Sequence, residues 1–168
     1  EWVKILQINC GLTKSKAIKE FNESVSRLFS YAAWADKYDG LVHNPPYRGI
    51  TLALPEAVGV IAQIAPDVQP LISCISLIAP AISMGNCVVF IPGSKNANIT
   101  LELIQVLETS DIPPGVINIV CGEQKLLGQQ LAGHAEVDSL WCWAENDTIS
   151  LIESTSIENI KRLWCNES

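Results

Sequence analysis

Residues 58–94 read VGVIAQIAPDVQPLISCISLIAPAISMGNCVVFIPGS, and residues 113–122 read PPGVINIVCG. Short segments rich in Val and Ile alternate here with helical segments, and Pro or Gly lies at nearly every junction. This alternation is typical of a parallel sheet built from βαβ units, the kind of sheet that holds nucleotides. The first strand is apolar on both faces, which predicts a central position. The predicted strands are residues 58–64, 87–91 and 116–120.

The segments downstream extend this α/β sheet. Helical patterns at residues 124–131 and 149–157 flank a strand at residues 137–143, and a further strand begins at residue 162. We therefore expect a Rossmann-like parallel sheet of about five strands with helices on both faces. Because the last strand would leave an unpaired edge, we expect the chain to be a piece of a longer polypeptide.

Residues 1–40 are helical in pattern, and apolar residues at three- and four-residue steps predict one buried face. Residues 41–47 contain Asn and two Pro and are predicted to form a loop, and residues 50–54 an extended arm. The chain thus divides into N-terminal helices with an arm, residues 1–56, and the sheet domain, residues 57–168. The predicted buried face comprises Ala17, Ile18, Phe21, Val25, Leu28 and Phe29.

Composition excludes several classes of function. The 168-residue chain carries a formal net charge of −7, so it is not expected to bind nucleic acid or an anionic membrane. Residues 68–94 contain no charged side chain, but Pro and Gly interrupt them, which predicts a buried helix and strand rather than a membrane span. No apolar signal segment follows residues 1–4, and we expect a cytoplasmic protein.

The cysteines and histidines show no metal-site spacing, and no metal is expected. Most of the cysteines lie in apolar segments, which predicts buried, unreactive thiols in a reducing compartment. His43 and His134 lie in predicted loops and are expected at the surface. The cysteines are Cys10, Cys74, Cys87, Cys121, Cys142 and Cys165.

Several motifs occur together along the chain. Residues 29–40 read FSYAAWADKYDG, residues 57–66 read AVGVIAQIAP, and residues 79–86 read APAISMGN. PPGVINIVCG follows, then Val137-Asp138 and the NIKR of residues 159–162. In this order and at this spacing, from residue 17 onward, the chain resembles the aldehyde dehydrogenase superfamily. The resemblance implies that family's cofactor domain, with its N-terminal helices and its oligomerisation arm.

At the family's catalytic positions the chain departs from the pattern. The family's Pro-Trp-Asn segment, whose Asn helps to form the oxyanion hole, is Pro66-Asp67-Val68 here. Val68 has no amide to donate, and such a loss costs an acyl-transfer enzyme roughly 3–4 kcal/mol. Asp67 would also bring a carboxylate near a developing oxyanion. The family's catalytic Glu aligns with Asn166, and its catalytic cysteine lies beyond this chain, so Val68 and Asn166 are interpreted as degenerate catalytic positions.

The cofactor positions also differ. The family's Lys-Pro-x-Glu, which addresses the adenosine ribose, is Ile91-Pro92-Gly93-Ser94 here; Ile91 cannot donate a hydrogen bond, whereas Ser94 can still accept one. In place of the Gly-Ser-Thr-x-x-Gly turn, Glu145 would repel a phosphate and Ile149 would crowd the helix start. The resemblance implies a vestigial cofactor cleft formed by Pro66, Ile91, Pro92, Ser94, Gly122, Gly128 and Glu145.

Three functions are compatible with these residues. The first is a non-catalytic aldehyde dehydrogenase-like module for structure, assembly or partner interaction, most like the degenerate second unit of the two-copy family sixteen. It would need no cofactor and would pack against a catalytic aldehyde dehydrogenase unit in the same polypeptide, or form a homo-oligomer. The second is the NAD-binding half of an active enzyme that oxidises aldehydes to carboxylic acids. The third is a module for another nucleotide-like ligand.

The tryptophans near the C-terminus admit two interpretations. Alternation along the strand places Trp141 and Trp143 on one side, where Trp164 can join them. The indoles either pack in the core or fill the cleft in place of a nucleotide. Cys142 and Cys165 lie beside these tryptophans in sequence, where burial is expected rather than reactivity.

Overall fold

The computed structural model describes residues 1–95 and 97–167. The helices are α1 (Trp2–Cys10), α2 (Lys14–Ala35), α3 (Pro70–Ser83), α4 (Ala97–Glu108), α5 (Gln124–Gly133) and α6 (Asn146–Thr155), with a 3₁₀ turn at Ser156–Glu158. The strands are β1 (Leu41–His43), β2 (Thr51–Ala53), β3 (Val60–Ile64), β4 (Cys87–Ile91), β5 (Ile117–Ile119), β6 (Ser139–Ala144) and β7 (Arg162–Glu167).

The predicted parallel sheet is confirmed. Its five strands lie in the order β5-β4-β3-β6-β7, and every neighbouring pair is parallel. The strand that is apolar on both faces, β3, occupies the centre, as expected. Helices α1 to α4 pack on one face of the sheet, and α5 and α6 pack on the other. The nearly all-apolar α3 is buried along most of its length, and Pro80 lies within it.

The N-terminal helical region consists of two helices. Gly11 adopts the left-handed conformation (φ 63°) that ends α1, and Thr13 then caps α2. The buried face of α2 agrees with the predicted one only in part. Ala17 is buried and Phe21 packs partly buried against the core, but the other buried residues are the polar Glu20 and Ser24. Leu28 and Phe29, expected inside, are exposed.

The hydrogen bonds of Glu20 account for the burial of a charged residue on α2. Its Oε1 accepts hydrogen bonds from the backbone N–H groups of Leu71 (3.0 Å) and Ile72 (3.4 Å) in the first turn of α3. A helix start leaves such N–H groups without partners inside the helix. The carboxylate therefore docks α2 on the start of α3, a contact that no apolar periodicity can reveal.

The arm is a two-stranded hairpin rather than a single extended segment. Strand β1 pairs antiparallel with β2, with Val42 opposite Leu52. The loop predicted for residues 41–47 is therefore wrong over Leu41–His43, whereas the extended conformation at Thr51–Ala53 is confirmed. A three-residue strand gives too short a pattern for alternation to show.

Several family-like motif residues fix the amino-terminal edge of the sheet. The Asn86 Oδ1 accepts the N–H groups of Val58 (2.7 Å) and Gly59 (3.0 Å), just before β3. The Asp138 carboxylate accepts the Val60 N–H at 2.8 Å, and it lies where a Cβ on Gly59 would be. Since Gly59 has φ 125°, this turn requires glycine on two counts. These residues build the fold and lie at the edge opposite the strand ends.

One smaller expectation needs correction. Cys87 and Cys121 are exposed, so the expected burial of the thiols is wrong for them, while Cys74 and Cys142 are buried. Over residues 1–95 and 97–167, no helix combines the length and the apolar character that a membrane span requires.

Candidate functional site

The sequence-predicted cleft residues lie at the carboxyl edge of the sheet. Pro66 follows β3, Pro92 follows β4, Gly122 follows β5 and Glu145 follows β6. Because all these strands are parallel, their carboxyl ends share one edge. Gly128 lies apart from them, within α5.

Asp67 joins the loop after β3 to the loop after β4. Its Oδ2 accepts the Ser94 hydroxyl at 3.1 Å, and its Oδ1 accepts the backbone N–H of Lys95 at 3.1 Å. The loops approach so closely that a Cβ on Gly93 would lie 2.5 Å from Asp67 Oδ1 and 2.8 Å from the Pro66 carbonyl oxygen. The sequence identified Asp67 as a change of residue but not as this bridge, because the two loops are distant along the chain.

The Ile91 side chain offers no polar contact at this edge. Its side chain is fully buried and belongs to the core between the sheet and α5 and α6. Gln124 instead spans the ends of the two central strands, since its Nε2 donates to the carbonyl oxygens of Ala65 (2.7 Å) and Pro92 (3.1 Å). Sequence reasoning missed Gln124, which begins α5 and carries no motif signal.

The two glycines of the predicted cleft serve packing. A Cβ on Gly128 would lie 2.8 Å from Ile64 Cδ1 and 3.1 Å from Ile152 Cδ1, so glycine lets α5 approach β3 and α6. A Cβ on Gly122 would lie 2.9 Å from Leu127 Cδ1. Both glycines therefore face apolar side chains of this layer.

The start of α6 carries several acidic side chains. Glu145 is the residue before the helix, and its side chain forms no capping hydrogen bond. Asp147 lies in the first turn, and Asn146 Nδ2 donates to the Glu167 carboxylate at 2.8 Å. Ile149 does not crowd the helix start; it lies one turn inside and packs against the core. The positive end of the helix dipole is thus surrounded by carboxylates.

The two residues that the resemblance places at catalytic positions, Val68 and Asn166, have different environments. Val68 is exposed and precedes Gln69, whose positive φ (46°) leads into α3. Asn166 lies on β7 opposite Trp143, and its Nδ2 is buried with no hydrogen-bond partner in the described part of the chain.

The neighbouring thiols are poor nucleophiles. Cys142 and Cys165 are register partners on β6 and β7. Burial, with a smaller contribution from Cys165, raises the pKa of Cys142 to about 12, and burial also raises the pKa of Cys165. Neither thiol forms an appreciable thiolate near neutral pH.

The three indoles form one cluster on the face that α2 and α3 cover. The Trp164 ring centroid lies 5.5 Å from that of Trp141 and 5.0 Å from that of Trp143, both in edge-to-face geometry. They line a cavity of about 390 Å³ together with residues of α2 and α3. Of the predicted cofactor residues, only Pro66 lines this cavity. The indoles therefore do not fill a cleft formed by the remaining predicted cofactor residues.

Comparison with known proteins gives the family. The model of the aldehyde dehydrogenase family matches residues 1–166. The chain belongs to the aldehyde dehydrogenase family. An aldehyde dehydrogenase from Agaricus bisporus is 33% identical over 117 residues, which cover 70% of this chain and 23% of that protein. Rat aldehyde dehydrogenase 1A1 is 32% identical over 158 residues, covering 93% of this chain and 32% of that protein.

A solved structure agrees with this assignment. PnpE from Pseudomonas sp. WBC-3 superposes with a TM-score of 0.94 at 25% identity and covers 100% of this chain and 35% of that one. This aldehyde dehydrogenase domain therefore spans about a third or less of the length of the relatives it matches.

Proposed function

We propose that this chain is an aldehyde dehydrogenase-family domain that does not oxidise aldehydes itself and that serves structure and assembly. The bridge made by Asp67 carries the proposal. At the two positions where the family resemblance expects Trp and Glu, Asp67 and Ser94 are hydrogen-bonded to each other. At position 94, where the resemblance expects a Glu that binds the ribose, this chain has Ser. The carboxylate of Asp67 instead holds the two loops together.

The residues at the carboxyl edge do not fit a dinucleotide. A ribose would find no side-chain donor at position 91, because Ile91 is apolar and fully buried in the core. A pyrophosphate at the start of α6 would meet Glu145, Asp147 and Glu167. These carboxylates carry the same negative charge as the phosphates, and their repulsion offsets the attraction of the helix dipole. No reaction step is therefore assigned to NAD in this domain.

An assembly role is supported by the β1–β2 hairpin. Apolar side chains project from it into solvent, among them Val42 (76% exposed) and Ile50 (81% exposed). Contiguous exposed apolar side chains of this kind mark interaction surfaces. We propose that the hairpin packs against a catalytic aldehyde dehydrogenase unit of the same polypeptide or against a second copy of this chain.

We further propose that the chain corresponds to the degenerate second unit of the two-copy family sixteen. The full gene product tests this assignment. An upstream unit with an intact Pro-Trp-Asn segment, a Gly-Ser-Thr turn and a catalytic cysteine is expected. A single unit that continues directly into a catalytic cysteine strand would instead identify this chain as the cofactor half of one enzyme.

Isothermal titration of the chain with NAD tests the loss of the cofactor site. We expect no saturable heat, while an active aldehyde dehydrogenase titrated in parallel serves as the positive control. Binding in the low-micromolar range would overturn the proposal and favour the alternative, the NAD-binding half of a working enzyme.

A further inference from the structure

The outer side of strand β5 is an unpaired edge of the sheet. This strand is last in the order β5-β4-β3-β6-β7, and no segment of the described residues pairs with its outer side. The Val116 carbonyl oxygen accepts the N–H of Val88 at 2.8 Å, and the Val120 N–H donates to a carbonyl oxygen of β4 at 2.9 Å. Because backbone groups point alternately to the two sides of a strand, the N–H and C=O groups of Ile117 and Ile119 point outward.

An apolar groove lies beside this edge, on the face of the sheet that α4 covers. It has a volume of about 450 Å³, and we call it the edge groove. Ile117 and Ile119 line it from β5, and both also pack against the core beneath the helices of this face. The other lining residues come from α4 (Ile104, Leu107 and Glu108) and from residues 112–115. A strand added to β5 would place every second side chain over the edge groove.

The sequence of β5 contains nothing that would prevent such pairing. Proteins protect exposed sheet edges with charged side chains, proline or bulges. Residues 116–120 contain no charged residue and no proline, and the register with β4 is continuous over residues 117–119. The strand at the other edge, β7, contains Arg162 and Glu167. Since β5 has only three residues, a bound strand would also need the edge groove for its affinity.

The surroundings of the edge groove are acidic. Residues 96–124 contain four acidic residues and no Lys, Arg or His. Glu108 ends α4 and Asp111 follows it in the connection to β5, so both exposed carboxylates lie toward the amino-terminal end of that strand. No basic side chain in residues 1–95 and 97–167 forms an ion pair with either of them. A basic partner would therefore meet complementary charge, whereas a second copy of this edge would bring like charges together.

We propose that the β5 edge binds an extended peptide of a partner protein, with apolar residues at alternate positions and a basic end. The peptide adds a strand to the sheet by pairing its backbone with Ile117 and Ile119. Its alternate apolar side chains enter the edge groove, and its basic end lies beside Glu108 and Asp111. The surface is formed by elements other than the β1–β2 hairpin. The inference goes beyond the proposed function and does not depend on the loss of catalysis.

Binding is tested on the full chain with the labelled peptide acetyl-Lys-Lys-Val-Thr-Val-Thr-Val-Lys-Lys-amide, measured by fluorescence anisotropy. Its basic ends allow parallel or antiparallel pairing. We expect saturable binding, and about ten-fold weaker binding when Glu replaces each Lys, because the peptide then meets charge of its own sign. Two N-methylated forms, one methylated at each Val and one at each Thr, test the backbone pairing. Because only one of these sets of N–H groups can face β5, one form should bind about ten-fold more weakly and the other like the parent peptide.

A matched pair of variants tests the charge, and hydrogen exchange gives the location. Glu108→Gln should weaken the Lys peptide about three-fold without weakening the Glu peptide, since it removes one exposed carboxylate at the groove. Glu153→Gln alters an exposed residue of α6, on the opposite face of the sheet, and should change neither. Exchange of the Ile117 and Ile119 amides should slow when the peptide binds, while exchange in β7 should not change.

Four results would each overturn the proposal. The first is the absence of saturable binding of the Lys peptide by a chain whose spectrum shows it folded. The second is equal binding of the Lys and Glu peptides, and the third is an equal effect of the two N-methylated forms. The fourth is protection of the Ile117 and Ile119 amides that rises with the concentration of the chain alone, which would identify a second copy as the occupant. None of these measurements involves NAD, so failure of this surface is distinguishable from failure of the proposed function.

Discussion

Single residues decide whether the two central loops of the carboxyl edge are open or joined. In this domain Asp67 accepts two hydrogen bonds from the loop after β4, one from Ser94 and one from Lys95. Glycine at position 93 is what allows the loops to approach so closely. Asp67, Gly93 and Ser94 therefore act as a set, in which each residue accommodates the others.

Asp67→Ala should lower the free energy of unfolding by about 1 kcal/mol, since a hydrogen-bonded pair at a partly exposed site contributes roughly that much. Ser94→Ala should cost less, because the backbone N–H of Lys95 still reaches the carboxylate. Urea unfolding of both variants and of the double variant measures the coupling. Strict additivity of the two losses would contradict a direct Asp67–Ser94 bond.

Glu20 should make stability depend on pH. Burial, and to a lesser extent the charge of Glu23, raise the pKa of the Glu20 carboxyl above its ordinary value of 4.5, although the two backbone N–H groups lower it. Between the unfolded and the folded pKa, the folded chain therefore keeps the Glu20 proton, whereas the unfolded chain has lost it. Its contribution is fully present below the unfolded pKa and is lost as pH rises through the folded pKa.

Glu20→Gln, which cannot ionise and still presents a carbonyl oxygen to Leu71 and Ile72, should remove this dependence. Its stability relative to the parent chain should increase as the pH is raised from 4.5 to neutrality, by about 1.4 kcal/mol for each unit by which the pKa is raised. Urea unfolding across that range gives the measurement. Glu23→Gln is the control, and an identical pH profile for both variants would contradict the assignment to Glu20.

At the scale of elements, the parallel sheet was predictable from the sequence, whereas strand β1 and the buried face of α2 were not. Apolar runs bounded by Pro or Gly placed β3, β4 and β5, and for β3 and β4 burial leaves a continuous apolar signal. Strands β6 and β7 were placed from the helix and strand patterns downstream. Strand β1 and the polar part of the buried face of α2 were not foreseen, since one is three residues long and the other depends on the long-range contact of Glu20. Likewise the bridge by Asp67 and the cavity among the indoles join residues that only the fold brings together.

The turn at Gly59, at the amino-terminal edge of the sheet, gives a specific prediction about stability. Gly59→Ala would put a methyl group on the Asp138 carboxylate and force alanine into φ 125°, so a loss of about 3 kcal/mol in unfolding free energy is expected. Gly11→Ala is the matched control, because Gly11 also has positive φ (63°) but no atom within 4 Å of the new Cβ. Equal losses in thermal unfolding would show that the backbone angle alone matters and would exclude the Asp138 contact.

At the scale of the whole molecule, polar contacts have opposite consequences at the two edges of one sheet. At the amino-terminal edge, side chains such as Asn86 and Asp138 satisfy backbone groups and hold the strands in register. At the carboxyl edge, Asp67 and Gln124 occupy groups that a ligand would otherwise meet. The proposed loss of catalysis is thus compatible with an intact family sheet, because the two sets of residues are spatially separate.

The hairpin is the surface through which such a scaffold would still be useful. Val42 and Leu52 face each other across β1 and β2 and are both exposed, so we expect concentration-dependent self-association of the isolated chain. Val42→Glu should shift the chain toward monomer by placing a charge among apolar side chains, as sedimentation velocity over a dilution series would measure. Ile8→Glu alters an equally exposed residue on α1 (79% against 76%) and should leave association unchanged. A chain that stays monomeric at every concentration, or both variants weakening association equally, would show that the hairpin does not mediate self-association.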